Sequence, residues 1–238
     1  MERLDKILVN KNYGSRKIVH KLIKDGLVKV DDNIVKDKDI KITSESKITV
    51  KGLVVTNFYD DCYIVMNKPK GVVSATKDKD KTVIDLLLPC DFRNDLHLVG
   101  RLDKDTTGLL ILTTDGNFSS RTLLPNRHVS KKYLVVVDSI ITKDDIETFK
   151  NGVELSDFIA KPSILEILSA SEVKSTCYVT IDEGKFHQIK RMFHKINCEV
   201  LELKRVSFGK IFLDEALLEG EYRYFNEAEM LYVKEILS

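Results

Sequence analysis

Several features that would assign this chain to a specialised class are missing. Its four cysteines, Cys62, Cys90, Cys177 and Cys198, form no Cys-x-x-Cys pair and sit mostly among apolar residues. A thiol redox motif is thereby excluded, and reduced core residues are expected. His194 and Cys198 stand four apart, but no second pair of ligating residues joins them, so no metal is expected. No run of about 18 apolar residues occurs, as a membrane-spanning helix would require. The start, Met1-Glu2-Arg3-Leu4-Asp5-Lys6, has no apolar stretch resembling a signal peptide, which makes the cytoplasm the expected location. Internal repeats and low-complexity segments are absent. So is an excess of charge: 38 Lys and Arg against 37 Asp and Glu leave a net +1.

What is present is an ordinary globular composition, 238 residues with 43% hydrophobic and 32% charged. A chain of that length buries a sizeable core and divides into one small and one larger domain. The balanced net charge hides an asymmetry. Residues 1–56 carry 13 Lys or Arg against 8 Asp or Glu, while the remainder carries 25 against 29. A basic module on a near-neutral body follows.

Within the module, residues 3–13 place Leu4, Ile7 and Leu8 at helical spacing, and Gly14 ends the run. Ser15 starts a second helix that Gly26 stops. Ile18, Val19, Leu22 and Ile23 form one face of it, and Arg16, Lys17, His20, Lys21 and Lys24 the other. Val28-Lys29-Val30 and Asn33-Ile34-Val35 read as short strands joined through Asp31-Asp32. A cationic helix face is either solvated or a seat for phosphates. Residues 43–59 read as the last strand of the module plus a linker, with the boundary near Asn57.

Beyond it, Cys62-Tyr63-Ile64-Val65-Met66-Asn67 reads as a buried strand that ends at Lys68-Pro69, because proline cannot continue an interior strand. Helices are expected over 82–88, 117–124 and 142–150, the last capped by Thr142 and stopped by Gly152. Strands are expected over 109–113, 133–137, 164–168, 177–181 and 200–208. This irregular alternation predicts an α+β fold with a mixed sheet rather than a doubly wound one.

Two segments invite a functional reading. Gly100-Arg101-Leu102-Asp103-Lys104-Asp105-Thr106-Thr107-Gly108 is a polar, glycine-bracketed turn running into the apolar Leu109-Leu110-Ile111-Leu112. It is either a strand-entry turn with a surface aspartate or a site carboxylate held on a rigid element. Asp105 reads as turn-forming, and Asp115-Gly116 as a simple turn after the strand. Along 187–196, Ile189, Met192, Phe193 and Ile196 make an apolar stripe and His187, Lys190, Arg191 and His194 a basic one. That basic face is either solvated or part of a site, with His187 read as a structural hydrogen-bonder rather than a base.

Gly100-Arg101-Leu102-Asp103, followed by Asp105-Thr106-Thr107-Gly108-Leu109, resembles the signature of the ribosomal RNA pseudouridine synthases, most nearly their small-subunit (RsuA) type. Asn67-Lys68-Pro69-Lys70-Gly71, Lys131-Lys132-Tyr133-Leu134-Val135 and Glu183-Gly184-Lys185-Phe186-His187-Gln188-Ile189-Lys190-Arg191-Met192 follow in that family's order. The two helices and hairpin resemble the RNA-binding module of ribosomal protein S4, here residues 1–57, which leaves 58–238 as the catalytic domain. The resemblance implies a central, mostly antiparallel sheet crossed by the active-site cleft, and isomerisation of a uridine without any cofactor. It implies Asp103 as nucleophile, Tyr133 stacked on the target base, and Lys190 paired electrostatically with Asp103 where many relatives carry arginine. Arg101 would fill the space left by a flipped base. The helix cations Arg16, Lys17, Lys21 and Lys24, together with Lys68, Lys70 and Arg191, would meet RNA. The implied partner is small-subunit rRNA or an assembly intermediate, bound by a monomer away from membranes. Large-subunit rRNA, or a non-catalytic role in ribosome assembly, are the alternatives.

Overall fold

A computed structural model describes residues 2–10, 13–43, 46–55, 61–87 and 95–238. Two compact units divide the chain, with the change between Cys62 and Tyr63; Asp95 and Leu96 group with the first unit. The expected boundary at Asn57 lies outside the described residues.

The first unit runs β1 (Glu2–Arg3), α1 (Leu4–Asn10), α2 (Arg16–Lys24), β2 (Val28–Val30), β3 (Asn33–Ile34), β4 (Lys41–Ile42), β5 (Ile48–Val50) and β6 (Leu53–Val55). Asp31 and Asp32 both take positive φ, 50° and 63°, which gives the two-residue hairpin turn that matches strand twist. The expected hairpin is half of a larger sheet, ordered β3-β2-β5-β6, because β5 pairs antiparallel with the other edge of β2. Leu4, Ile7 and Leu8 of α1, Val19 and Ile23 of α2, and Val28, Ile48 and Val50 of the sheet share one core. Ile18 was expected on the apolar face but is 52% exposed, beside Gly14.

The second unit comprises β7 (Tyr63–Lys68), β8 (His97–Val99), β9 (Thr107–Thr113), α3 (Gly116–Leu123), β10 (Lys131–Val137), α4 (Lys143–Asn151), β11 (Ile164–Ala170), β12 (Ser175–Ile181), α5 (Gln188–Lys195), β13 (Val200–Phe208), β14 (Ile211–Phe212), β15 (Tyr222–Tyr224) and α6 (Glu227–Leu237). Its sheet is ordered β11-β12-β10-β13-β9-β7-β15, with β14 on β13 and β8 on β9. All pairs are antiparallel except β13 with β9. The α+β fold with a mixed, mostly antiparallel sheet is therefore observed.

Strands β7 and β9 are buried along nearly their whole length, which explains why both read as continuous apolar runs rather than alternating ones. Around them Val65, Leu109, Ile111, Phe118, Phe208 and Ile236 close the central core. Helices α4 and α5 meet through Phe149 and Phe193, whose ring centroids are 5.1 Å apart. The 82–88 helix is a 3-10 turn over Val83–Leu86, capped reciprocally by Thr82 and Asp85; Leu88 lies outside the described residues. Asp115 is more than a turn residue. It caps α3 by accepting from the backbone N–H of Asn117 and Phe118, and it also accepts from the Tyr63 hydroxyl at 2.7 Å. Cys62, Cys177 and Cys198 are buried free thiols, and burial pushes Cys177 up to about 12; Cys90 lies outside the described residues.

Candidate active site

The loop 101–106 hangs from the start of β9, and its shape is imposed from outside. Ser74 Oγ donates to the carbonyl of Leu102 at 2.7 Å and accepts from the N–H of Leu102 at 3.1 Å. Gly71 N–H donates to the carbonyl of Lys104 at 2.7 Å, and Thr106 N–H closes the turn onto the carbonyl of Asp103. Lys68 completes the clamp. At the end of β7 it is fully buried, and its ammonium donates to the carbonyls of Pro69, Lys104 and Thr106 at 3.1, 3.3 and 2.9 Å. Burial lowers the Lys68 amine to about 8, against the pull of Asp105, Asp103 and Glu219. The expectation that Lys68 meets phosphate fails, because its charge faces inward and its donors are already occupied. Lys70, two residues on, is exposed.

Gly108 is the second fixed point. Its φ is +98°, and a Cβ there would stand 2.3 Å from the carbonyl oxygen of Arg205, the residue it faces in the parallel β9–β13 pair. Only glycine lets the two backbones approach so closely. Arg205 in turn donates from Nε to the carbonyl of Leu109 at 2.7 Å and lies opposite Tyr133 on β10. Gly108, Arg205 and Tyr133 thus line up across three adjacent strands, which brings the aspartate loop and the tyrosine to one stretch of sheet. Tyr133 is 8% exposed, and its hydroxyl has no hydrogen-bond partner among the described residues.

Helix α5 supplies the charge. Lys190 Nζ lies 3.6 Å from Asp103 Oδ2, and His187 Nε2 lies 3.6 Å from Asp103 Oδ1. Lys190 is held more tightly by Asp105, at 2.6 and 2.7 Å. Burial pushes the Asp105 carboxyl up, but the hydrogen bond and charge of Lys190 outweigh it and hold the group below the usual carboxylate range. Asp105 is therefore a partner of the lysine and not only turn-forming. Two carboxylates share one cation that is three-quarters buried, an arrangement that keeps negative charge fixed in a partly dry pocket. His187 sits at the N-terminus of α5 in the left-handed region, φ 48°, and that conformation turns its ring toward Asp103.

Arg101 is exposed and forms no hydrogen bond or ion pair with any described residue. Arg191 is held by an ion pair with Asp157, with Ser156 Oγ at 3.3 Å and the Phe158 ring 5.1 Å from its guanidinium carbon. In the first unit, Arg16, Lys17, Lys21 and Lys24 all project from α2 into solvent and pair with no described carboxylate. His20, expected on that cationic face, turns instead to the buried Asp5 at 3.0 Å. Sequence reasoning missed the partnership of Asp105 and the clamp role of Lys68. A signal for the first existed in the spacing, since Asp103 and Asp105 project from one short turn and a single cation can serve both.

Residues 62–195 match the family model described as RNA pseudouridylate synthase, and residues 2–48 match the S4 domain. An uncharacterized RNA pseudouridine synthase of Bacillus subtilis, YtzG, is 42% identical over 98% of each chain. Ribosomal small subunit pseudouridine synthase A of Escherichia coli is 37% identical, covering 97% of this chain and 99% of its own. A crystal structure of a pseudouridylate synthase superposes with a TM-score of 0.69 at 34% identity, covering 98% of this chain and all of that one.

Proposed function

The chain belongs to the RNA pseudouridine synthases, isomerases that act on uridine in RNA, with an N-terminal S4 domain, and from that premise we propose that it modifies a uridine of small-subunit rRNA with Asp103 as nucleophile. The pinned loop carries this reading. Its backbone is fixed by Ser74, Gly71 and Lys68, while Lys190 and His187 each stand 3.6 Å from one oxygen of the Asp103 carboxylate. Such a carboxylate is oriented and accessible, as covalent catalysis needs.

In the reaction the bond from ribose C1′ to uracil N1 breaks and one from C1′ to C5 forms. The C5 proton leaves, and a proton returns to the freed ring nitrogen. Composition and oxidation state are unchanged, so the expected cofactor requirement is none. Tyr133 stacks on the base while it turns. Lys190, shared with Asp105, orients the Asp103 carboxylate. The uridine leaves its helix to reach the pocket, at a cost of a few kcal/mol, and Arg101 occupies the gap with a guanidinium plane that stacks on neighbouring bases. Lys70 and Arg191 border the path, and Arg16, Lys17, Lys21 and Lys24 of the S4 domain hold RNA phosphates. The protein acts as a monomer, in the cytoplasm where its rRNA is assembled.

Small-subunit rRNA is favoured by near full-length similarity to the E. coli enzyme whose name specifies that subunit. Tritium release from rRNA labelled at uridine C5 tests the reading. Release from small-subunit RNA is expected, with a loss of at least about 10³-fold in Asp103→Ala and RNA affinity within a few-fold. Release from large-subunit RNA alone would overturn the substrate, and undiminished release by Asp103→Ala would overturn the nucleophile.

A further inference from the structure

Phe186 is a large apolar ring left 76% exposed beside the reaction centre. It lies flat on the imidazole of His187, with centroids 3.8 Å apart and planes 18° from parallel. The left-handed backbone of His187 turns that imidazole toward Asp103, whose Oδ1 it approaches to 3.6 Å. The stack therefore has one edge against the catalytic carboxylate and one open π face in solvent. Cations lie close by in the chain on the same segment: Lys185 Nζ sits 3.6 Å from the centroid of Phe158, Arg191 packs on that ring, and Lys190 follows one turn along α5. Burial does not explain Phe186, because the ring contributes nothing to the core. An exposed flat aromatic on a segment rich in Lys and Arg is a surface on which proteins stack unpaired nucleobases.

We propose that the Phe186–His187 stack is a platform for a nucleobase of the substrate RNA that lies next to the reacting uridine. The inference rests on the pseudouridine synthase reading above and extends it to the flanking nucleotide. When the uridine swings out, its neighbour loses a stacking partner on one side. Phe186 offers a replacement surface, stacked on the histidine that approaches Asp103. Because every base has a π face, this contact holds the RNA in register without selecting a base.

Affinity for small-subunit rRNA, and the rate of C5 tritium release, measured for the wild type, Phe186→Ala, Phe186→Leu and Phe186→Tyr, test this. Alanine is expected to weaken binding by about 5- to 150-fold, the range of one base–aromatic stack, with the thermal midpoint unchanged because the ring is exposed. Leucine should fare like alanine, and tyrosine should stay within about twofold of wild type, since it keeps the π face. Wild-type affinity in the leucine variant would overturn the stack in favour of a plain apolar contact, such as a protein partner would make. Photocrosslinks mapped by reverse-transcription stops should fall within two nucleotides of the modified uridine and vanish in Phe186→Ala; stops elsewhere would overturn the placement. Absence of tritium release by the wild type on any rRNA would instead remove the activity, while the affinity series still decides the platform.

Discussion

The cations of the two units are used in opposite ways. Along α2, Arg16, Lys17, Lys21 and Lys24 stand in solvent without a carboxylate partner among the described residues. Around the 101–106 loop, Lys68 is consumed by three carbonyls, Lys190 by two carboxylates, and Lys104 by Asp80 at 2.8 Å. A free cation is available for counterion exchange with RNA and leaves geometry alone. A cation already engaged adds little to binding but fixes the atoms around it. Under the proposed function, charge in one unit serves delivery, and in the other it serves placement.

Three experiments break or sharpen that contrast. The largest effect belongs to Lys68→Met, which leaves the carbonyls of Lys104 and Thr106 without their buried donor. A stability loss of about 2–4 kcal/mol by denaturant titration is expected, with kcat falling far more than RNA affinity. An effect confined to affinity would erase the distinction between the two sets of cations.

Next comes replacement of Arg16, Lys17, Lys21 and Lys24 by alanine together. RNA affinity should fall, and the slope of log affinity against log salt should flatten by about 3 to 4, with kcat at saturating RNA unchanged. A reduced kcat would show that the S4 domain shapes the reaction as well as delivering the enzyme.

The smallest effect concerns Asp105. Its carboxyl is held below the usual range, with burial opposing and Lys190 prevailing. For a depressed carboxyl, the stabilisation is complete above the unfolded value, near 4, and disappears as pH falls through the lower folded value. Asp105→Asn should therefore narrow the stability difference between pH 5 and pH 2 slightly. At neutral pH it releases Lys190 to pair with Asp103 alone, so activity should change by only a few-fold. A loss as severe as that of Asp103→Ala would make Asp105 an equal partner in the chemistry.

Much of this was legible in the residues. The strand over Val200–Phe208 and the Thr142-capped helix ended by Gly152 fall where periodicity and caps place them. Helix α6 carries its own signal, the reciprocal cap between Asn226 and Glu229, yet its weak apolar stripe hides it among the turns before it. Other features are three-dimensional and leave no local trace. Nothing in Asn67-Lys68-Pro69 says that the lysine turns inward, because a flexible side chain at a strand end can follow either face. The sharing of Lys190 by two carboxylates depends on α5 crossing a loop 85 residues earlier in the chain. The second pairing of β2 likewise needs β5, which starts 14 residues beyond the end of the hairpin that the sequence announces by its turn.

The close parallel crossing of Gly108 and Arg205 also bears on when the enzyme comes into being. Arg205 reaches back across 96 residues to the carbonyl of Leu109, and a closure that long is slow and is repaid late in folding. The aspartate turn can form early from local bonds, but Tyr133 is brought alongside it only through β13, the ninth residue of which is Phe208. A nascent chain emerging from the ribosome thus carries every side chain of the proposed centre before it carries the centre itself, which assembles only after β13 has been made.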